Sequence, residues 1–242
     1  MTNAVFKSTD LGQIQVVKGK NNLIHPSVVF GEPQHREYYK TAMNHFEEWN
    51  KFKIIIGNNN VIREFCAIHS GTERDTVIGN DCFIMGMVHI PHDALIEDHV
   101  TITNGCNFGG FTILMEHSNI GFGSVTHQYS VVGQYAMIGM LSAVTRQVPP
   151  FTLYYNGRLR GLNIVGMKRA GFKDEEMEQL FDYYVELEKG FTPDPPEKFA
   201  EIFKKFKEAC NSHPRTKVRE LAKWDWEKMS RRRLHDAEQG LK

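Results

Sequence analysis

The sequence predicts a mainly β fold: a triangular prism of stacked six-residue repeats, followed by an α-helical domain at the C-terminal end. Three observations predict it. Large apolar residues recur at every sixth position from Ile78 to Val144, small residues recur four positions after each of them, and charge is almost absent from the same stretch. A helix requires an apolar period near 3.6 and a half-buried strand a period of two. A period of six with separate large and small slots fits neither, and a fixed repeat is the signature of a solenoid.

Residues 1–150 are assigned to the prism. Before Ile24 the repeat is weak. Ile24 and Phe30 are six apart, and the frame then vanishes until Ile54. The intervening polar and aromatic stretch reads as a protruding loop, about 32–54, of the kind that carries binding work. Ile56, Ile62 and Ile68 restore the frame, and the ten-residue step from Ile68 to Ile78 places a small loop at 71–75. From Ile78 the series runs through Ile84, Ile90, Ile96, Ile102, Phe108, Leu114, Ile120, Thr126, Val132, Ile138 and Val144; eleven of these twelve are large and apolar. They point inward. The small slot holds Cys66, Cys82 and Cys106 among others, which gives these thiols a structural reading. Glycine directly follows the inward residue at 79, 109, 121, 133 and 139, where it is expected to permit unusual backbone angles. Three hexads make one coil of 18 residues, and stacked coils lie ~4.8 Å apart.

Pro149 and Pro150 end the pattern. Residues 151–173 read as an irregular link and 174–242 as a helical domain. Asp174–Lys189, Pro196–Cys210 and Pro214–Leu234 are helix-like, and Phe199, Ile202, Phe203 and Phe206 define one apolar face. Arg231–Arg233 reads as a solvated helix face.

The 242 residues carry 29 basic and 29 acidic side chains, which argues against a nucleic-acid or membrane-surface binder. The balance is uneven. Residues 78–149 contain one basic residue (Arg146) and five acidic ones (Asp81, Asp93, Glu97, Asp98, Glu116), whereas 174–242 contain 14 basic and 16 acidic. The four cysteines form no CxxC pair. The N-terminus has no apolar signal region and no run of 18 apolar residues occurs, so a cytoplasmic chain with no integral membrane association is expected.

The chemistry concentrates in MVHIPHDA, which contains His89, His92 and Asp93. The 18-residue rule places His92 beneath Gly110, which lies beneath Gln128, and Asp93 beneath Phe111. A histidine beside a carboxylate suits general-base work near neutral pH. A glycine one coil above offers an unobstructed N–H to an oxyanion. Together these suffice for acyl transfer to a hydroxyl, against the bland reading of a histidine on a solenoid surface. Asn104 either touches substrate or pairs with its stacked neighbours.

The stretches NNNVIREFCAIHSGT (58–72), MVHIPHD (87–93), NGCNFGG (104–110), THQY (126–129), VPPF (148–151) and GLNIVGMKRAGF (161–172) resemble the UDP-N-acetylglucosamine O-acyltransferases of lipid A biosynthesis. The likeness covers roughly residues 20–235. It implies a left-handed parallel β-helix with His92 as catalytic base, Asp93 orienting it and the Gly110 N–H as oxyanion donor. It implies substrate contacts from His69, His89, His127, Gln128, Asn163 and Arg169, with no metal and no bound cofactor. It also implies homotrimers with sites between prisms, a nucleotide-sugar acceptor, and an acyl carrier protein thioester (on its 4'-phosphopantetheine arm) as co-substrate. Met137 and Met140 fall where the family measures acyl length. A Met at the second position, Gly in long-chain relatives, points to a donor of ten carbons or fewer. The sequence departs from the pattern at Phe111 (usually His), at His35 and Glu37 in the loop, at Ala170 in the link, and in having fewer N-terminal coils. Other readings are an N-acyltransferase on a nucleotide-linked amino sugar, a γ-type carbonic anhydrase-like zinc enzyme using His69, His89 and His92, and a non-catalytic binding solenoid.

Overall fold

The structure, a computed structural model, describes residues 5–6, 14–31 and 51–213. Most of the expected loop (residues 32–50, with His35 and Glu37), the expected helix Pro214–Leu234 and Arg231–Arg233 lie outside them.

Short parallel strands wind into a solenoid with three faces. One face stacks six strands, Val16–Lys18, Ile54–Ile56, Thr76–Ile78, Leu95–Ile96, Ile113–Leu114 and Val131–Val132, so the described residues form about six coils. The second carries the series from Leu23–Ile24 up to Met137–Ile138 and continues past it. The third carries Val5–Phe6, Val29–Gly31, Ala67–His69 and His89–Ile90, then single bridges through Asn107 to Val125–Thr126 and Ala143–Val144.

Register reveals where the chain departs from its repeat. Partners Val131, Ile113, Leu95 and Val77 are each 18 residues apart. Val77 pairs with Ile55, four residues more, and Ile55 pairs with Val17, twenty residues more. Both insertions leave the third face at the ends of its strands, one after Gly31 and the other after His69.

The inward series is buried from Ile24 to Val144, with Phe108 the most exposed apolar member at 4%. Its polar member, Thr126, directs its hydroxyl to Thr112 Oγ1 at 2.8 Å. The small slot is equally buried, and several of its polar atoms bond to neighbouring coils: Cys66 Sγ donates to Met85 O, Cys82 Sγ to Glu97 O and Ser124 Oγ to Gly139 O, whereas the Ser118 and Ser142 hydroxyls are buried without a hydrogen-bond partner among the described residues. Burial pushes the Cys82 thiol up to about 11 and raises Cys66 and Cys106 too, so these are inert structural thiols.

The glycine expectation needs correcting. The corner residue with positive φ lies three positions after the inward one, as in Asp81, Met87, Asp93, His99, Phe111, His117, Tyr129, Tyr135 and Leu141, with φ between 55° and 61°. Glycine immediately after the inward residue answers a different need, close approach of the next coil. A Cβ at Gly121 would lie 2.5 Å from the carbonyl oxygen of Ile138, and one at Gly79 would meet Asp98.

The link is also more ordered than expected. Thr152–Tyr155 joins the second face beside Met137–Ile138, and Arg158–Leu162 returns antiparallel to it. The turn is Asn156-Gly157, both with positive φ (50° and 81°), the pairing a two-residue hairpin favours. The returning strand covers the last open edge of that face. Helix α1 (Ile164–Arg169) follows, then α2 (Asp174–Glu188), a 3-10 turn at Glu197–Phe199 and α3 (Ala200–Asn211). Phe151, Leu162, Met167, Met177, Leu180, Tyr184 and Phe199 form a second small core. Phe206 of α3 packs on Ile113, Met115 and Val131, so this helix lies back against the six-stranded face.

Candidate active site

The third face and the corner that ends it hold most of the expected site. The Phe111 N–H donates to His92 O and the Tyr129 N–H to Gly110 O, so His92, Gly110 and Gln128 stand one above another at this corner. Asp93, Phe111 and Tyr129 occupy the adjacent positive-φ positions.

His92 is 3% exposed, and its Nδ1 lies 2.6 Å from Asp93 Oδ2. An ionised carboxylate only accepts, so Nδ1 carries the proton and Nε2 is left as the basic nitrogen. Asp93 is fully buried, and the four-residue insertion explains how it stays charged. Its Oδ1 accepts from the backbone N–H groups of Thr72, Glu73 and Arg74 at 2.8–2.9 Å, and its Oδ2 accepts from the Thr72 hydroxyl at 2.6 Å. Burial alone would raise this carboxyl; hydrogen bonds from His92, Thr72, Glu73 and Arg74 outweigh it and hold it below the ordinary carboxylate value. The Thr76 hydroxyl accepts from the Asp93 N–H, and Arg74 Nε donates to the Asp93 carbonyl. Gly71 is needed for this loop, since a Cβ there would run into the Arg74 carbonyl.

Gly110 sits directly against the imidazole: a Cβ there would lie 2.6 Å from His92 Nε2. Among the described residues no group accepts from its N–H. Phe111 meets His92 edge-on at 5.6 Å between ring centres and stacks on Tyr129 at 4.7 Å. His213, after α3, stacks on Tyr129 in turn, and the Arg74 guanidinium lies 5.6 Å over Phe111. The 18-residue count places Phe111 above Asp93 but does not show this aromatic roof or the Thr72–Arg74 cradle; their one signal in the sequence is the broken frame at 71–75.

His69 and His89 lie side by side on the face, ring centres 5.1 Å apart, with Gly31 behind His69. Burial lowers the pKa of His89, the nearby His92 adds to this, and a hydrogen bond with the Phe108 backbone opposes it, which favours neutral imidazole. His127 and Gln128 are exposed in the coil above Gly110. Asn104 and Met140 belong to the corner at the other edge of the face, where Gly105 N–H donates to Gly86 O, Gly123 N–H to Asn104 O and Leu141 N–H to Phe122 O. Met137 lies on the second face, paired with Asn119.

Asn163 and Arg169 are not brought to His92 within this chain. Asn163 caps α1, its Oδ1 accepting from Gly166 N–H at 3.2 Å while its Nδ2 donates to Tyr135 O at 2.9 Å. Arg169 is exposed in the last turn of α1, beside Lys168, which pairs with Asp174. Nor do His69, His89 and His92 converge as three metal donors. Among the described residues the group of three with mutually close donor atoms is His99, Glu116 and His117, at another corner. None of the described helices is long and apolar enough to cross a membrane.

Comparison with known proteins gives the following. Residues 147–223 match the family model for UDP-N-acetylglucosamine O-acyltransferase, domain 2, and residues 75–110 match that for bacterial transferase hexapeptide repeats. An acyl-[acyl-carrier-protein]–UDP-N-acetylglucosamine O-acyltransferase of Nautilia profundicola is 37% identical over 175 residues, covering 70% of this chain and 64% of the relative. One of the same description from Burkholderia lata is 33% identical, covering 69% of this chain and 62% of the relative. The chain thus spans a little under two thirds of the length of these curated relatives. Among solved structures, the UDP-N-acetylglucosamine acyltransferase of Arabidopsis is 31% identical with a TM-score of 0.62, covering 82% of this chain and 68% of that one. That of Francisella novicida is 28% identical with a TM-score of 0.68, covering 87% and 78%.

Proposed function

The chain belongs to the UDP-N-acetylglucosamine O-acyltransferase family, and from that premise we propose that it transfers an acyl group from an acyl carrier protein thioester to a hydroxyl of a UDP-linked amino sugar. The observation that carries this reading is the His92–Asp93 pair with the Gly110 backbone against Nε2. His92 Nε2 takes the proton of the sugar hydroxyl. The resulting oxygen nucleophile attacks the thioester carbonyl carbon, and the Gly110 N–H supports the tetrahedral oxyanion. The C–S bond then breaks, the acyl ester forms, and the carrier thiolate recovers a proton from the imidazolium. Asp93, held ionised, stabilises that imidazolium and fixes its tautomer. His69, His89, His127 and Gln128 line the approach of the two substrates. Neutral His89 donates a hydrogen bond without competing for the transferred proton.

The enzyme acts as a homotrimer, with sites between adjacent prisms. Two features support this. Phe65, Met87 and Leu141 expose 69%, 58% and 70% of their surface along one corner, and Phe122 and Met140 extend the same apolar ridge. Large exposed apolar side chains grouped along one edge mark an interface. Asn163 and Arg169 reach a substrate only if a second chain presents it. The site is assigned to the cytoplasm, where carrier-bound acyl groups and nucleotide sugars are made.

The decisive experiment incubates purified protein with UDP-N-acetylglucosamine and acyl carrier proteins loaded with chains of graded length, and detects products by mass spectrometry. An acyl ester of the sugar nucleotide is expected, with His92→Ala slowed by ~10²-fold or more. A zero yield across the donor series, or an active His92→Ala enzyme, overturns the reading.

A further inference from the structure

At the corner of the prism that does not border the His92 face, two imidazoles and a carboxylate come together at the end of a ring stack that continues from His117 to Tyr135 and Phe151. His99 and His117 hold the same corner position in successive coils, with φ of 58° and 59°. The backbone fixes that register, since the His117 N–H donates to Asp98 O and the Tyr135 N–H to Glu116 O. The two rings lie 4.7 Å apart and 5° from parallel, so both project from the corner in the same direction. Glu116 Oε1 lies 3.5 Å from His117 Nε2, and donor atoms of all three residues lie within 4.8 Å of one another. The other Glu116 oxygen accepts from Gln134 Nε2 at 3.0 Å, which orients the carboxylate.

The charge distribution points the same way. Residues 78–149 hold five acidic side chains. One, Asp93, serves His92. The other four, Asp81, Glu97, Asp98 and Glu116, all cluster at this corner, while the segment's one basic residue is Arg146. Glu97 accepts from the Glu116 N–H, and Asp98 accepts from Asn80, so both carboxylates are fixed. Asp98 and Glu116 also line a cleft of about 660 Å³ between the six-stranded face and α3, together with Glu97, Arg74 and Lys205.

We propose that His99, Glu116 and His117 form a binding site for a divalent transition-metal ion such as Zn²⁺ or Ni²⁺, separate from the acyl-transfer site. Mixed imidazole and carboxylate donors suit these metals rather than Mg²⁺ or Ca²⁺. Water or Asp98 completes the shell, and His99, the exposed member, supplies the rotamer freedom that brings the donors to bonding distance. The ion adds a tie between successive coils to the ring stack of His99, His117 and Tyr135, and the proposal does not depend on the acyl-transfer reading.

The test uses the untagged full chain, with calorimetric titration of ZnCl₂ and NiCl₂ and thermal unfolding with and without metal. One ion per chain and a metal-dependent rise in Tm are expected, because a ligand bound only by the folded state stabilises it. His99→Ala and His117→Ala are each expected to weaken binding by ~10-fold or more, with Glu116→Gln weakening it as well, while metal-free Tm changes little for the exposed His99. No binding at millimolar metal overturns the proposal. So does binding that survives His99→Ala and His117→Ala but is lost in His92→Ala or His89→Ala, which would place the ion at the acyl-transfer face.

Discussion

Asp93 is the residue on which the proposed chemistry turns, and its burial makes it a stability determinant as well. Its folded-state pKa lies below the unfolded value of ~3.9. A depressed carboxylate stabilises the fold above the unfolded pKa, and that contribution is lost as pH falls through the folded pKa. Acid unfolding followed by circular dichroism should therefore show a steeper loss below pH ~4 for the wild type than for Asp93→Asn. At neutral pH that variant should be less stable by about 1–3 kcal/mol, since an amide cannot accept all the N–H groups that converge there. An Asp93→Asn protein as stable as the parent would show the cradle to be energetically idle. Met140 makes a second residue-scale case. It is exposed at the edge of the face, so Met140→Gly should leave the fold intact and extend activity to longer acyl donors. An unchanged donor profile would remove it as the length determinant. His92, Asp93, Gly110 and Phe111 are legible in the sequence because the 18-residue count stacks them without any knowledge of coordinates. Thr72, Glu73 and Arg74 are not, because they sit in a segment that breaks the count, and an irregular loop leaves no period to read. The positive-φ corner is misplaced by the sequence for a related reason. Non-glycine residues occupy it, and the recurrent glycines answer crowding by the next coil.

Elements show the same division between counted and uncounted structure. The inward isoleucines can be assigned one by one, and α2 begins at Asp174 as expected. The apolar face of Phe199, Ile202, Phe203 and Phe206 is the buried side of the 3-10 turn and α3. The hairpin at 152–162 reads as an irregular link although Asn156-Gly157 is a strong hairpin signal. The prolines before it signal only a break, and its first strand has no hexad frame. Gly157 has φ of 81°, and a Cβ added there would meet nothing within 4 Å, so the cost of Gly157→Ala is conformational alone. A loss of ~1 kcal/mol in urea unfolding is expected, with no change in acyl transfer. A neutral substitution would mean the turn is not held in its left-handed form.

On the scale of the whole molecule, the neutral total of 29 against 29 resolves into a charge-poor solenoid and a charged helical segment. The solenoid satisfies its backbone coil against coil and needs little charged surface, and one of its corners exposes Phe65, Met87 and Leu141. Leu141→Glu should convert the proposed trimer to monomer by analytical ultracentrifugation, because a charge placed in the apolar ridge would lose its hydration on association. A Leu141→Glu protein that keeps the parent's mass would place the interface elsewhere. The family likeness implies a trimer but does not identify that ridge in the sequence, since residues that share a corner are scattered along the chain. The 18-residue coil carries a further consequence. His92 and Gly110 face each other because one full circuit of chain lies between them, and the reactive spacing is thus stored as a number of residues. Between 93 and 109 the chain can vary at its outward positions but not in length. A single deletion there would rotate Gly110 away from the imidazole and carry every later coil with it. The larger insertions are tolerated where they occur because both leave and rejoin at a corner before that counted interval begins. Natural variation in such a protein is therefore expected to be written in substitutions within the interval and in loop lengths outside it.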